Sequence, residues 1–145
     1  MSPFFQQTQD WQPLTKDQLN RLCKNTKDNA RNGSVGGTRV TELRNQGFSE
    51  DEIKLKANIK EFTLTKEYIQ ELWCNQKGRC DDLGKLIDPN ELFNKENTFQ
   101  PSIDRIDDQI GYIEGNVRIV FRFINLGRAK TPLNVWKIGL KQILK

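Results

Sequence analysis

The spacing of apolar residues predicts a chain built mainly of short helices. Apolar residues from Leu19 to Ala30 recur at helical intervals after the capping sequence Thr15 to Gln18, and Asn32-Gly33 ends the pattern. We expect a helix of about four turns over this stretch.

Two further helical patterns meet at Gly47. The first ends just before this glycine, which suits the C-terminal end of a helix, and the second opens at the capping box Ser49 to Glu52. Such a pair is either an ordinary αα-hairpin, the more frequent structure, or a helix-turn-helix that reads DNA. Lys54, Lys56 and Lys60 would contact phosphates only if they share one solvated face.

The middle of the chain combines one more helix with turns. Thr65 is a suitable N-cap for a helix that ends near Gly78 and carries Ile69 and Trp73 on its apolar face. The polar, asparagine-rich stretch from Asp88 to Gln100 is expected to be a surface loop.

The last third predicts two strands followed by two helices. Residues Ser102–Ile106 and Asn116–Val120 have the patterns of short strands, and a helix is expected from about Phe121 to Lys130. Thr131 is expected to cap a final helix that has Pro132 at its first position. The predicted buried stripe of that helix consists of Leu133, Trp136, Leu140, Ile143 and Leu144.

Composition limits the classes of protein and of chemistry. The chain has 145 residues, of which 35% are hydrophobic, so we expect one compact domain with at most a small appendage. It has no run of about 18 apolar residues and no secretory signal pattern at its N-terminus, which predicts no membrane span and a cytoplasmic location. Three cysteines do not suggest a disulfide framework, and the absence of histidine removes the commonest general base. The net charge of +4 suits a polyanionic partner without requiring one.

One stretch resembles a known family. Pro101 to Asp107, Gly111-Tyr112, Gly115 to Arg118 and Ile124-Asn125 are similar to the ββα-metal core of the HNH endonucleases. The likeness is greatest to the small nucleases of phages and mobile elements, including homing endonucleases, which act inside bacterial or phage-infected cells. It covers about residues 62–130.

The resemblance implies four catalytic positions, which are Asp104, Arg105, Asn116 and Asn125. Asp104 and Asn125 offer the oxygen ligands that Mg²⁺ or Mn²⁺ prefers. Asn116 would hold the loop between the strands in shape. Arg105 stands where typical members have the histidine that activates water, and because arginine is a poor base we expect it to stabilise charge instead.

The general base stays open in this interpretation. The residues considered are Asp107, Asp108, Glu114 and Tyr112, and a water activated by the metal alone is a further alternative.

The resemblance also bears on structural zinc. Typical members bind zinc through four cysteines, and the matching positions here are Cys80, Leu83, Phe121 and Ile124. Since a structural zinc site needs about four nitrogen or sulfur ligands, we expect no zinc and apolar packing in its place.

These observations predict a mostly helical α+β protein with an HNH-like hairpin and helix. Residues 1–61 would form an N-terminal helical region that contributes DNA specificity, and residues 62–145 the nuclease core with the C-terminal helix. The expected partner is double-stranded DNA, with a homodimer if both strands are cut. The residues expected to bind DNA are Arg118, Arg122, Arg128 and Lys130.

Two other functions remain open at this stage. One is a DNA-binding module that keeps the hairpin fold but has lost catalysis, and the other is a helical protein–protein adaptor.

Overall fold

A computed structural model describes residues 10–32, 37–56, 60–94 and 98–144 of the chain. The first nine residues, on which the expectation about a signal segment rests, lie outside this description. Helices and strands follow one another as α1 (Lys16–Asn32), α2 (Gly37–Asn45), α3 (Glu50–Lys56), α4 (Lys66–Asn75), a 3₁₀ helix (Pro89–Phe93), β1 (Pro101–Arg105), β2 (Val117–Phe121), α5 (Arg122–Arg128) and α6 (Leu133–Ile143). The α+β class is confirmed. Within the described ranges, none of the helices has the length and apolar character needed to cross a membrane.

The helix starts follow the capping residues that the sequence indicated. The backbone N–H of Gln18 donates to Thr15 Oγ1 at 3.2 Å, while Gln18 Oε1 accepts from the Thr15 N–H at 2.8 Å. Ser49 Oγ accepts from the Glu52 N–H at 3.2 Å, and Thr65 Oγ1 accepts from the Tyr68 N–H at 3.1 Å. Each side-chain oxygen satisfies an N–H group that has no partner within the helix, which sets the start of α1, α3 and α4.

The two strands form an antiparallel hairpin, and α5 follows directly from β2. The register pairs Asp104 with Arg118 and Arg105 with Val117. Helix α5 packs against both strands, and α1 also contacts β1. The predicted order of strand, loop, strand, helix and helix is therefore confirmed.

One hydrophobic core holds most of the elements together. It contains Leu22 from α1, Trp73 from α4, Ile119 from β2 and Ile124 from α5. The core thus crosses residue 61, where the sequence analysis divides the chain, because the apolar face of α1 is covered by α4 and β1. A second, small cluster joins Leu43 of α2 to Ile53 of α3, with Phe48 packed against it.

The last helix differs from the expectation. Pro132 rather than Thr131 is the N-cap of α6, and no side chain caps the helix. Ile143 and Leu144 are 79% and 60% exposed, and α6 has no buried residue. The helix meets the core through the half-buried Trp136. Ile143 and Leu144, about two turns beyond Trp136, therefore have little to pack against, while Leu140 is half-buried.

The stretch from Asp88 to Gln100 is less of a surface loop than its polarity suggested. It contains the 3₁₀ helix Pro89–Phe93, whose start is capped by Asp88. Leu92 and Gln100 are buried. The apolar Leu92 anchors this otherwise polar stretch to the core.

Candidate functional site

The loop between the two strands is held by Asn116. Asn116 Oδ1 accepts from the Asp107 N–H at 2.9 Å, and Nδ2 donates to the carbonyl oxygens of Asp107 at 3.1 Å and Gly111 at 2.9 Å. The side chain is buried, with no unsatisfied polar atom. The hydrogen bonds to loop backbone are those expected of this residue; its part in catalysis stays a prediction.

The same loop is fastened to the segment before α4. The Tyr112 N–H donates to the Glu61 carbonyl at 2.7 Å, and the Thr63 N–H donates to the Tyr112 carbonyl at 3.1 Å. A Cβ at Gly111 would lie 2.5 Å from the Glu61 oxygen. The approach therefore requires glycine at this position.

Asp104 lies inside the protein rather than on an open surface. Its residue is only 5% exposed. Oδ2 accepts from Arg118 Nε at 2.9 Å and from a terminal nitrogen of Arg128 at 2.7 Å. Both guanidinium groups thus neutralise the carboxylate that was expected to hold a metal ion.

These ion pairs belong to a larger cluster, which we call the interior charge network. Its members are Asp81, Asp82, Asp104, Arg118 and Arg128. Arg118 pairs with Asp82 and, at 3.2 Å, with Asp81, while Trp136 Nε1 donates to Asp82 at 2.7 Å. Lys137 approaches Asp81 at 3.5 Å from the exposed side. With Lys137, three cations face three carboxylates, so the cluster has no net charge.

The network changes the acidity of its members. Burial alone would lower the pKa of Arg118, but Asp82 and Asp104 outweigh it and the pKa is raised above its usual value. Burial alone would raise the pKa of Asp82, but hydrogen bonds from Arg118 and Trp136 outweigh it and the pKa is lowered. Both groups are therefore held in their charged forms at neutral pH.

Asn125 lies one turn before Arg128 on α5 and faces β1. Its Nδ2 donates to Ser102 Oγ at 2.9 Å and to the Ile103 carbonyl at 3.3 Å. Ser102 and Asp104 share one face of β1, because alternate residues of a strand point to the same side. The structure thus brings Asn125 and Asp104 to the same side of the hairpin.

The placement of these residues bears on the predicted Mg²⁺ or Mn²⁺. Carboxylate and amide oxygens are the right donors for such ions. Asp104, however, is already neutralised by two guanidinium groups, and the network around it has no net negative charge to attract a dication. Over the described ranges no three Cys, His, Asp or Glu residues converge as a metal site. As placed, Asp104 and Asn125 do not fit a divalent ion.

Arg105 points to the opposite face of β1 from Asp104. A terminal nitrogen donates to the Asp108 carbonyl at 2.8 Å, and the guanidinium lies 5.2 Å from the centre of the Tyr112 ring. Burial raises the pKa of Tyr112, and the Arg105 charge opposes this rise. The half-buried Arg105 therefore braces the loop.

The four residues expected to bind DNA separate into two groups. Arg118 and Arg128 are only 3% and 2% exposed, and their guanidinium groups are committed to the interior charge network. Their positions correct the expectation that they lie on the DNA-facing surface. Arg122 and Lys130 are exposed, and their contact with DNA stays a prediction.

The four positions that correspond to zinc ligands lie in or beside the hydrophobic core. Cys80, Phe121 and Ile124 are buried members of the core, and the half-buried Leu83 packs against it. This is the apolar environment that the sequence analysis expected there. The absence of zinc stays a prediction.

Sequence reasoning missed Asp81, Asp82 and the polar role of Trp136. Trp136 was assigned to the core, whereas its indole N–H binds a carboxylate. The acidic pair directly after Cys80 is the signal that could have indicated buried ion pairs here, because a carboxylate beside core residues needs a partner.

Comparison of the chain with protein-family models, with curated proteins and with solved structures found no match. The HNH resemblance therefore rests on the residues of this chain alone.

Proposed function

We propose that this protein acts on double-stranded DNA as an HNH-type endonuclease that hydrolyses phosphodiester bonds. The observation that carries the proposal is the side-chain arrangement of the hairpin and α5. Asn116 ties the loop together through three hydrogen bonds. Asn125 faces the side of β1 that carries Asp104. The resemblance assigns these three residues to one site, and the position of Asp104 and Asn125 on the same side of the hairpin supports it.

The proposal does not route a chemical step through a metal ion, since the residues as placed do not fit one. Arg105 lies on the opposite face of β1 from Asp104 and donates to the Asp108 carbonyl, so in this proposal it shapes the loop and does not contact a phosphate at Asp104 and Asn125. Arg122 and Lys130 extend positive charge along the exposed side of α5 and just beyond it.

A specific observation favours a second candidate, a DNA-binding protein that does not cleave. The ion pairs of Asp104 with Arg118 and Arg128 occupy the carboxylate that a metal-dependent nuclease needs. The chain also lacks histidine. In this candidate the hairpin is a scaffold that the interior charge network stabilises.

Plasmid cleavage distinguishes the two candidates. The full chain is incubated with supercoiled plasmid in Mg²⁺, in Mn²⁺ and in EDTA. The endonuclease predicts nicked or linear products, and Asn125→Ala should slow the reaction by about 100-fold or more. The matched control is Asn134→Ala, which makes the same change at an exposed position of α6 and should leave the rate unchanged.

One outcome would contradict the site and another the nuclease. Cleavage that persists in Asn125→Ala would remove Asn125 from the site. Salt-sensitive binding without cleavage under any of the three conditions would establish the DNA-binding candidate instead. Thermal unfolding of each variant checks that a lost activity does not reflect a lost fold.

A further inference from the structure

A second region of the molecule carries charge in a different way. A cleft of about 980 Å³ opens between α1, the α2–α3 pair and the segment that leads into α4. We call it the basic groove. The charged residues of its wall are Lys24, Lys27, Arg31, Arg44, Lys60 and Lys66, with Asp28 and Glu50 as the acidic ones.

The basic groove holds the entire positive excess of the chain. Its wall has six basic and two acidic residues, a net charge of +4. Removing these from the 23 basic and 19 acidic residues of the whole sequence leaves 17 of each. The net charge of the groove wall therefore equals that of the whole chain, which suits a site that attracts a polyanion.

Four of the six cations have no carboxylate partner among the described residues. Lys24 pairs with Asp28 at 3.0 Å, and Arg44 pairs with Glu50 at 3.0 Å. The cations that remain are Lys27, Arg31, Lys60 and Lys66. Lys27 and Arg31 are four residues apart on α1, where like charges repel and destabilise a helix. A bound anion would remove that repulsion.

The cations reach the groove from separate elements that the fold holds together. The Lys60 N–H donates to the Ala30 carbonyl at 3.0 Å, which fixes Lys60 beside the C-terminal end of α1. Lys27 Nζ lies 5.8 Å from the centre of the Phe62 ring in the groove wall. The cations thus come from α1 and from the segment that leads into α4, and they line one cleft of about 980 Å³. A cleft of this size can accommodate several phosphates of a nucleic-acid strand.

The basic groove is also joined to the candidate site. The segment from Lys60 to Thr63 forms part of the groove wall and binds the hairpin loop through Glu61, Thr63 and Tyr112. A strand held in the groove would thus lie next to the loop that Asn116 orders.

We propose that the basic groove binds the sugar–phosphate backbone of one strand of a DNA duplex. The inference rests on the proposed action on DNA and adds where the backbone is held, with Lys27, Arg31, Lys60 and Lys66 as the phosphate contacts. Such contacts position the protein on DNA without reading bases.

Binding of a short labelled duplex of mixed sequence tests this, measured by fluorescence anisotropy in EDTA over a series of salt concentrations. Each lost phosphate contact should reduce the slope of log Kobs against log salt by about 0.9. Lys27→Gln should therefore reduce the slope by about 1, and the quadruple variant K27Q/R31Q/K60Q/K66Q by about 3 to 4. Circular dichroism and thermal unfolding confirm that each variant is folded.

Lys85→Gln is the matched control, because it removes one exposed charge outside the groove wall. It should leave the slope unchanged. An equal effect of Lys85→Gln and Lys27→Gln, or wild-type binding by the quadruple variant, would overturn the proposal. So would binding of polyglutamate instead of DNA, which would make the occupant an acidic protein segment.

Since anisotropy measures binding and the plasmid assay measures cleavage, failure here is separable from failure of the proposed function. A wild-type chain that binds no duplex refutes both. A wild-type chain that binds duplex as tightly as its quadruple variant refutes the groove alone. A chain whose binding depends on the groove but that never cuts plasmid refutes only the nuclease.

Discussion

The interior charge network and the basic groove use the same types of side chain in opposite ways. Arg118 and Arg128 are almost completely buried and meet Asp82 and Asp104 directly. Lys27 and Arg31 are exposed and meet no carboxylate among the described residues. A charge that loses its water must be paired, whereas a hydrated charge can stay unpaired until a ligand arrives. Burial thus decides which cations stabilise the fold and which are available to a partner.

The largest effect should come from removing the cation at the centre of the network. Arg118→Met removes the guanidinium from Asp82, which keeps only Trp136 and Lys137, and one of the two guanidinium groups from Asp104. Breaking a buried pair in this way costs about 3–5 kcal/mol. Urea denaturation measures the free energy of unfolding. Arg122→Met, at an exposed position of α5, is the control and should change it by about 0.5 kcal/mol or less. Similar values for the two variants would show that the network does not stabilise the fold.

A second substitution tests the junction between the hairpin loop and the groove wall. Gly111→Ala places a Cβ 2.5 Å from the Glu61 oxygen, so the loop or the segment must move. We expect a loss of about 1–3 kcal/mol in unfolding free energy, together with weaker DNA binding. Gly139→Ala is the control, because a Cβ there meets no atom within 4 Å. An unchanged melting temperature for Gly111→Ala would mean that the close approach has no energetic importance.

Acid should weaken the buried network more than the exposed ion pairs. The lowered pKa of Asp82 stabilises the fold above the ordinary carboxylate pKa of about 3.9, and this stabilisation is lost as the pH falls through the folded-state value. Unfolding free energy should therefore decline below about pH 5. Asp82→Asn should flatten this decline.

Glu50→Gln makes the same chemical change at an exposed carboxylate, whose pKa is also lowered by an arginine, Arg44. It should flatten the decline less, because solvent screens the exposed pair. A larger effect of Glu50→Gln than of Asp82→Asn would contradict the assignment of the network as the acid-sensitive part.

The smallest effect should follow loss of an exposed pair in the groove wall. Lys24 and Asp28 lie one turn apart on α1 and are 69% and 47% exposed. Lys24→Gln should cost about 0.5 kcal/mol or less. A loss above about 1 kcal/mol in unfolding free energy, measured by urea denaturation, would contradict the expectation that exposed ion pairs of the basic groove stabilise the fold much less than the interior charge network.

Local signals made much of the fold predictable. Thr15, Ser49 and Thr65 cap helices because their hydroxyl groups reach N–H groups only three residues away. The strands near residues 102–106 and 116–120 were also correct to within one residue at each end. Such features depend on residues that are close together in the sequence, so the sequence alone is enough to predict them.

The charge network could not be predicted, since it depends on distant partners. Asp104 meets Arg118 because the length of the loop sets the strand register, and it meets Arg128 because α5 folds back over β1. Asp82 comes from a turn 36 residues before Arg118. Without that geometry, the sequence suggested that Asp104 binds a metal ion and that Arg118 and Arg128 contact DNA. For Asn116, by contrast, the bonded groups lie within nine residues, and the expected loop contacts were found.

The core that crosses residue 61 has a consequence for synthesis of the chain. The apolar face of α1 is covered by α4 and by β1, which follow it in the sequence. At about 5–20 residues per second, a ribosome needs roughly 4 to 15 seconds to proceed from Ala30 to Arg105. During this interval the core around Leu22 and Cys23 stays incomplete, because β1 has not yet been made. The first helix therefore emerges early but is completed late, and it is the segment of the nascent protein that a chaperone would meet.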